Sequence, residues 1–239
     1  MTLVGRTTAI KTLADAFTDC AEGCSRTVLV EGPTGCGKSA LVHGLIERAA
    51  AAGAVVLCAT GSPAGRRTAW GVVRQLLAHR CGPRRWENTA ERAPGIGHLR
   101  ALCAELRAVS GGSPLVLCVD DVEYADEESL AFVRHLAYRA RPARVLLVVA
   151  GTAGHESGGP LSLAGPAHGP APSRIRLERL GRPEVSALAE RAGAGEHAAF
   201  LYESSGGSPL LLHALLDELA LHELALPASA GPGTFRPVP

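Results

Sequence analysis

At 239 residues, 46% hydrophobic and 20% charged, the chain is long enough for a sizeable core and too apolar for whole-chain disorder. A formal net charge of +1 creates no field of one sign, so charge gives no support to a nucleic-acid or acidic partner. The seven cysteines, an odd number with no paired CxxC spacing and several in apolar runs, read as reduced and mostly buried thiols rather than a disulfide or zinc framework.

In chain order, no basic-then-apolar leader precedes Val4, and no apolar run approaches the ~20 residues of a membrane span. The expectation is a soluble, cytoplasmic protein with no membrane partner. Ile10, Leu13, Ala14 and Phe17 recur every three or four residues and predict a helix over Thr7–Cys20. A buried strand follows at Val28–Gly32, then a helix over Ser39–Ala52 stopped by Gly53, then a strand at Ala54–Ala59. Helical patterns at Ala69–His79 and Gly97–Ser110 flank a Pro/Arg-rich loop from Gly82 to Pro94. Pro114–Asp120 reads as the third strand, Glu127–Arg139 as a helix, Arg144–Ala150 as the fourth strand and Arg174–Leu177 as the fifth.

Apolar strands alternating with helices predict an α/β fold with a parallel five-stranded sheet covered on both faces. Residues 151–172 are rich in Gly, Pro, Ala and Ser and read as a mobile connection. Beyond Arg182 only helical patterns remain, at Pro183–Ala192, Glu196–Ser204 and Pro209–Ala225. The expected organisation is an α/β domain over 1–178, a small helical subdomain over 179–226 and a linker-like tail over 227–239, the last suggesting a piece of something longer.

The segment Gly32-Pro33-Thr34-Gly35-Cys36-Gly37-Lys38-Ser39 fits GxxxxGK[ST] and lies between a predicted strand and a predicted helix, the context this phosphate loop requires. Its backbone N–H groups, continuing through Ala40, would converge on phosphate oxygens at the positive end of the helix. Lys38 would reach the β- and γ-phosphates and Ser39 would ligate Mg²⁺. Cys36 would be open to alkylation if its thiol is exposed.

The strand LVLCVDD, Leu115–Asp121, delivers two carboxylates at its end. Asp120 is the candidate second Mg²⁺ group. Asp121 is the candidate to orient or deprotonate an attacking water, with a helix cap as its alternative role. Thr152, leaving the fourth strand, is placed to sense a γ-phosphate. Arg134, Arg139, Arg141 and Arg144 read as a solvated basic face, with an arginine finger as the rarer reading. The histidines show no metal-binding spacing, and no metal besides Mg²⁺ is expected.

With these residues in hand, the chain resembles the STAND and AAA-like ATPase module at the N-terminus of large ATP-binding LuxR-type (LAL) transcriptional regulators. The resemblance runs from Leu3 to Leu226 and is carried by the phosphate loop, Asp120-Asp121, Leu3-Val4-Gly5-Arg6, Gly61–Leu77, Val119–Thr152 and Gly206-Gly207-Ser208-Pro209-Leu210. It implies a P-loop NTPase fold that binds ATP or ADP with Mg²⁺. It also implies that Val4, Gly5 and Arg6 pack near the adenine and that Pro209 contacts the base.

Two departures stand out. Thr7, Thr8 and Ala9 replace acidic residues often found after the opening element, and Ala153 follows Thr152 where many relatives carry an arginine. The second implies slow or absent hydrolysis.

The function expected is therefore an ATP-binding regulatory switch, at most a slow Mg-dependent ATPase, with nucleotide-dependent self-association. DNA would be bound only by a helix-turn-helix outside this chain. Gly158, Gly159 and Pro160 are the candidate hinge. The alternatives are a P-loop small-molecule kinase with Arg66 and Arg67 on a lid, and a scaffold that binds nucleotide for stability alone.

Overall fold

A computed structural model describes residues 4–78, 96–139, 144–152 and 171–225. The chain divides into two compact units, Met1–Glu178 and Arg179–Pro239. The first unit contains α1 (Thr7–Ala21), β1 (Arg26–Gly32), α2 (Lys38–Ala51), β2 (Val55–Thr60), α3 (Gly71–Ala78), α4 (Ile96–Ser110), β3 (Leu115–Asp120), α5 (Glu127–Arg139), β4 (Val145–Thr152) and β5 (Ser173–Arg176). The five strands form one sheet in the order β2-β3-β4-β1-β5, every pair parallel.

The apolar runs of β1, β3 and β4 are buried on both faces, as the interior of a parallel sheet requires. Leu29, Leu57, Leu117, Leu147 and Val149 point to one face and pack with α3, α4 and α5. Val28, Val30, Val116, Cys118, Leu146, Val148 and Ala150 point to the other and pack with α1 and α2. This alternation also fixes the strand ends. Asp120 and Thr152 continue the parity of Cys118 and Ala150 and lie on the face covered by α2. All strands run the same way, so the loop after β1, Asp120 and Thr152 share the carboxyl edge of the sheet, where open α/β sheets bind ligands.

The predicted loop at Gly82–Pro94 and hinge at Gly158–Pro160 lie outside the described residues, as do Cys81 and the tail from 226 onward. The other six cysteines are free, and Cys20, Cys36, Cys103 and Cys118 are buried. The burial of Cys36, 1% exposed, corrects the idea of an alkylatable loop thiol: its side chain faces the core and only its backbone is left for the loop's chemistry.

Short 3-10 turns at Gly65–Arg67, Val122–Tyr124 and Gly195–His197 have no clear sequence signature. The turn at Val122–Tyr124 leads into Asp126, only 3% exposed, which joins two helices. Its Oδ1 accepts from Ser129 N at 2.9 Å, an N-cap on α5, and also from Trp70 N at 2.8 Å. Its Oδ2 accepts from Val72 N at 3.4 Å, in the first turn of α3. The cap of α5 is thus Asp126, and Asp121 is not that cap.

The second unit, described by itself, holds α6 (Arg182–Arg191), α7 (Ala198–Ser205) and α8 (Pro209–Ala225) around Leu180, Val185, Ala189, Ala194, Leu201 and Leu212. Gly206 ends α7 in the left-handed conformation, Leu180 N donates to Gly207 O at 2.8 Å, and Pro209 opens α8.

Replacing Asp126 by Ala strips the acceptor from three buried N–H groups. At ~1 kcal/mol or more for each, the first unit should lose about 3 kcal/mol. Thermal unfolding should show a midpoint lowered by roughly 6–12 °C, whereas a shift under roughly 2 °C would mean that the cap does not hold α3 and α5.

Candidate phosphate-binding site

The loop between β1 and α2 has the backbone its glycines permit. Gly35 and Gly37 take φ of 76° and 96°, a region that side chains rarely tolerate, and Gly37 is the N-cap of α2. The first turn of α2 has no capping side chain and no acidic residue, so Lys38, Ser39 and Ala40 present the unbonded amide end of a helix at the carboxyl edge of the sheet.

Lys38 is 6% exposed. Its Nζ donates to Gly32 O at 3.1 Å and to Pro33 O at 3.2 Å, and no carboxylate among the described residues lies within ion-pair distance. No carboxylate offsets this buried ammonium, so an anion is the partner its surroundings leave room for.

The opening element reaches the same loop. Gly5 turns with φ 68°, and the Arg6 guanidinium donates to Cys36 O at 3.0 Å and to Glu178 O. Residues Gly32 to Ala40 are thereby joined to Gly5 and Arg6, next to Val4. Pro209 belongs to the second unit, where it opens α8.

At the end of β3, Asp120 Oδ1 accepts from Asp121 N at 2.9 Å. Asp121 then takes φ 47°, ψ 46°, a left-handed conformation uncommon outside glycine, though Asp is among the residues that adopt it. Gly61 permits it: a Cβ there would lie 2.2 Å from Asp121 O, and Gly61 N donates to Asp120 O at 2.9 Å. Burial above all, then the Asp120 and Glu123 carboxylates, push the Asp121 carboxyl up from its ordinary value, while Lys38 pulls it down. A carboxylate raised in this way is a better proton acceptor.

Thr152, the cross-strand partner of Gly32, ends β4 between the loop strand and the acidic strand. Its neighbour Ala153 lies outside the described residues. Its hydroxyl donates to Glu123 Oε1 at 2.6 Å, and its amide N donates to the same oxygen at 3.1 Å. Sequence reasoning gives neither Glu123 nor Gly61 a role of its own. The available signal is a third acidic residue two positions past Asp121, which the 3-10 turn carries back to the sheet edge.

The donor set suits Mg²⁺. The Ser39 hydroxyl and the Asp120 carboxylate are hard oxygen donors at the same edge and on the same face. Among the described residues no group of three or more His, Cys, Asp or Glu could hold a metal alone, so an ion here would draw its remaining ligands from phosphates and water.

The profile of a family described as "AAA ATPase domain" matches residues 2–149, over half of the chain. The chain belongs to the AAA ATPase domain family. No curated protein matches this AAA domain. Among solved structures it resembles ORC2 of Aeropyrum pernix in ADPNP-ADP complexes, at TM-score 0.60 and 16% identity, covering 93% of this chain and 63% of that one. A variant of Thermotoga maritima RuvB gives 0.54 and 17%, covering 92% and 64%. Drosophila ORC bound to DNA gives 0.64 and 14%, covering 94% and 57%. At such identities the likeness is one of fold, the parallel five-stranded P-loop NTPase sheet with its helices. The chain spans less than two thirds of the length of each.

The Asp121 shift has a stability consequence with a definite sign. A carboxyl raised above 3.8 in the folded state contributes stability present below that pH and lost as pH rises through the folded value. Asp121→Asn, uncharged and at ease in the left-handed conformation, should therefore melt higher than the unsubstituted protein at about pH 7. The difference should shrink toward about pH 4, and a lower melting temperature at neutral pH would contradict the burial of this charge.

Proposed function

We propose that this AAA ATPase domain is an ATP-binding regulatory switch of a LuxR-type transcriptional regulator, with slow Mg-dependent hydrolysis. The observation that carries the nucleotide part is Lys38, a buried ammonium bonded only to Gly32 O and Pro33 O at the mouth of a helix. Family membership and the likeness to an ADPNP-ADP complex of Aeropyrum ORC2 support it. The regulator part rests on the residue resemblance that includes Leu3–Arg6 and Gly206–Leu210.

In this reading the amides of Gly35 to Ala40 wrap the phosphates, and Lys38 leaves its two carbonyls for the β- and γ-oxygens. Ser39 and Asp120 would hold Mg²⁺, which when bound neutralises phosphate charge. Asp121 accepts a proton from water at its carboxylate, and Thr152 tests for a third phosphate. Gly5, Arg6 and Pro209 belong to the adenine side, and the second unit is the helical subdomain that responds. Self-association in the ATP state and a DNA-binding helix-turn-helix elsewhere in the regulator complete the proposal. Aeropyrum pernix ORC1 in complex with DNA and Drosophila ORC bound to DNA, which share this fold, support the DNA part.

A cytoplasmic location belongs to the same reading; among the described residues no helix is long and apolar enough to cross a membrane. The kinase alternative has no observation of its own, because Arg66 and Arg67 lie exposed on the turn Gly65–Arg67.

A switch must differ between its ligands. Small-angle scattering with Mg·ADP and with a non-hydrolysable ATP analogue should give different profiles or masses, and phosphate release should run well below ~1 s⁻¹. Identical profiles and masses, or turnover typical of metabolic enzymes, would overturn the switch.

A further inference from the structure

Thr152 has one hydroxyl hydrogen, and Glu123 holds it. The O–H···O distance of 2.6 Å is the short contact typical of a carboxylate acceptor, and the Thr152 amide reinforces it at 3.1 Å. These are the only hydrogen bonds to Glu123 among the described residues, and its Oε2 is buried with no partner.

The pair stands at the end of β4, beside Gly32 where the phosphate loop begins. While the bond stands, the hydroxyl can offer only lone pairs to a ligand, and a carboxylate stands behind them. A diphosphate makes no demand on this position. A third phosphate needs a donor here and obtains one only if the hydroxyl turns away from Glu123, which leaves that carboxylate with a single hydrogen bond.

We propose that Glu123 is a positioning residue that latches the Thr152 hydroxyl and thereby biases the site toward ADP over ATP. The inference rests on the nucleotide-binding reading above and names a residue that sets which nucleotide is preferred. Glu123 acts through Thr152 and needs no contact with the nucleotide. Because its carboxylate loses a bond when ATP is sensed and regains it when the γ-phosphate leaves, the bias acts on one ligand alone, which is the condition for shifting a two-state equilibrium.

The experiment is calorimetric titration of Mg·ATP and Mg·ADP into the unsubstituted chain, Glu123→Gln, Glu123→Asp, Thr152→Val and the double variant Glu123→Gln/Thr152→Val. Gln keeps the shape and one acceptor but drops the charge, and Asp keeps the charge but withdraws the carboxylate from the hydroxyl. Both should shift the preference toward ATP by about five-fold, the typical net worth of one hydrogen bond. The Gln gain should at least halve once Thr152 is replaced by Val.

A preference unchanged in both variants, or equal weakening of both nucleotides, overturns the latch and assigns Glu123 a structural role. A gain in Gln alone that survives Thr152→Val also overturns it, in favour of bare charge repulsion. Should Glu123→Gln fail to fold, Glu123→Asp carries the same decision. If the unsubstituted chain binds neither nucleotide, the nucleotide-binding reading and the latch fall together; if it binds both and the ratio does not move, the latch alone falls.

Discussion

Burying an ammonium without a carboxylate costs several kcal/mol, and Lys38 is buried in this way, held by two carbonyls of its own loop. The cost is carried by the sheet. β1 is fully buried from Val28 to Gly32 and flanked by β4 and β5, so the loop cannot relax outward to hydrate its lysine. Arg6 fastens the loop again through Cys36 O. What remains is a positive point at the amide end of α2, an arrangement that gains stability from an anion and from little else.

The other parts of the site follow from the same sheet. Parallel strands bring every loop of interest to one edge, and the two-residue alternation that buries Cys118 and Ala150 also places Asp120 and Thr152 on the α2 face. The Asp126 cap joins α3 and α5, and the turn Val122–Tyr124 just before it carries Glu123 to Thr152. A surplus of negative charge at the strand ends, opposite one buried positive charge, is the electrostatic frame in which the Asp121 carboxyl is pushed up.

The parts visible in the sequence are those with a short-range cause. Continuous apolar runs predict the first four strands, and the helices Glu127–Arg139 and Pro209–Ala225 match their periodic patterns residue for residue. The phosphate loop is legible because its chemistry lies in consecutive residues, Gly32 to Ala40. Glu123 and Thr152, 29 positions apart, and Asp126 and Trp70, 56 apart, are not legible, because a hydrogen bond across that span leaves no local pattern. Gly61 escapes for a related reason: nothing beside it in sequence announces the carbonyl of Asp121. The thiol of Cys36 faces inward because a loop glycine motif sets the backbone and says nothing about which side chain the core claims.

Whether the Lys38 charge holds a nucleotide phosphate is read by titrating Mg·ATP, Mg·ADP and Mg·GTP into the protein and into Lys38→Ala. The expected result is adenine-selective binding to the unsubstituted chain and a loss of about 100-fold or more in the variant, the size expected when a buried charge partner is removed. Equal affinity in the two proteins, with both folded, would contradict it.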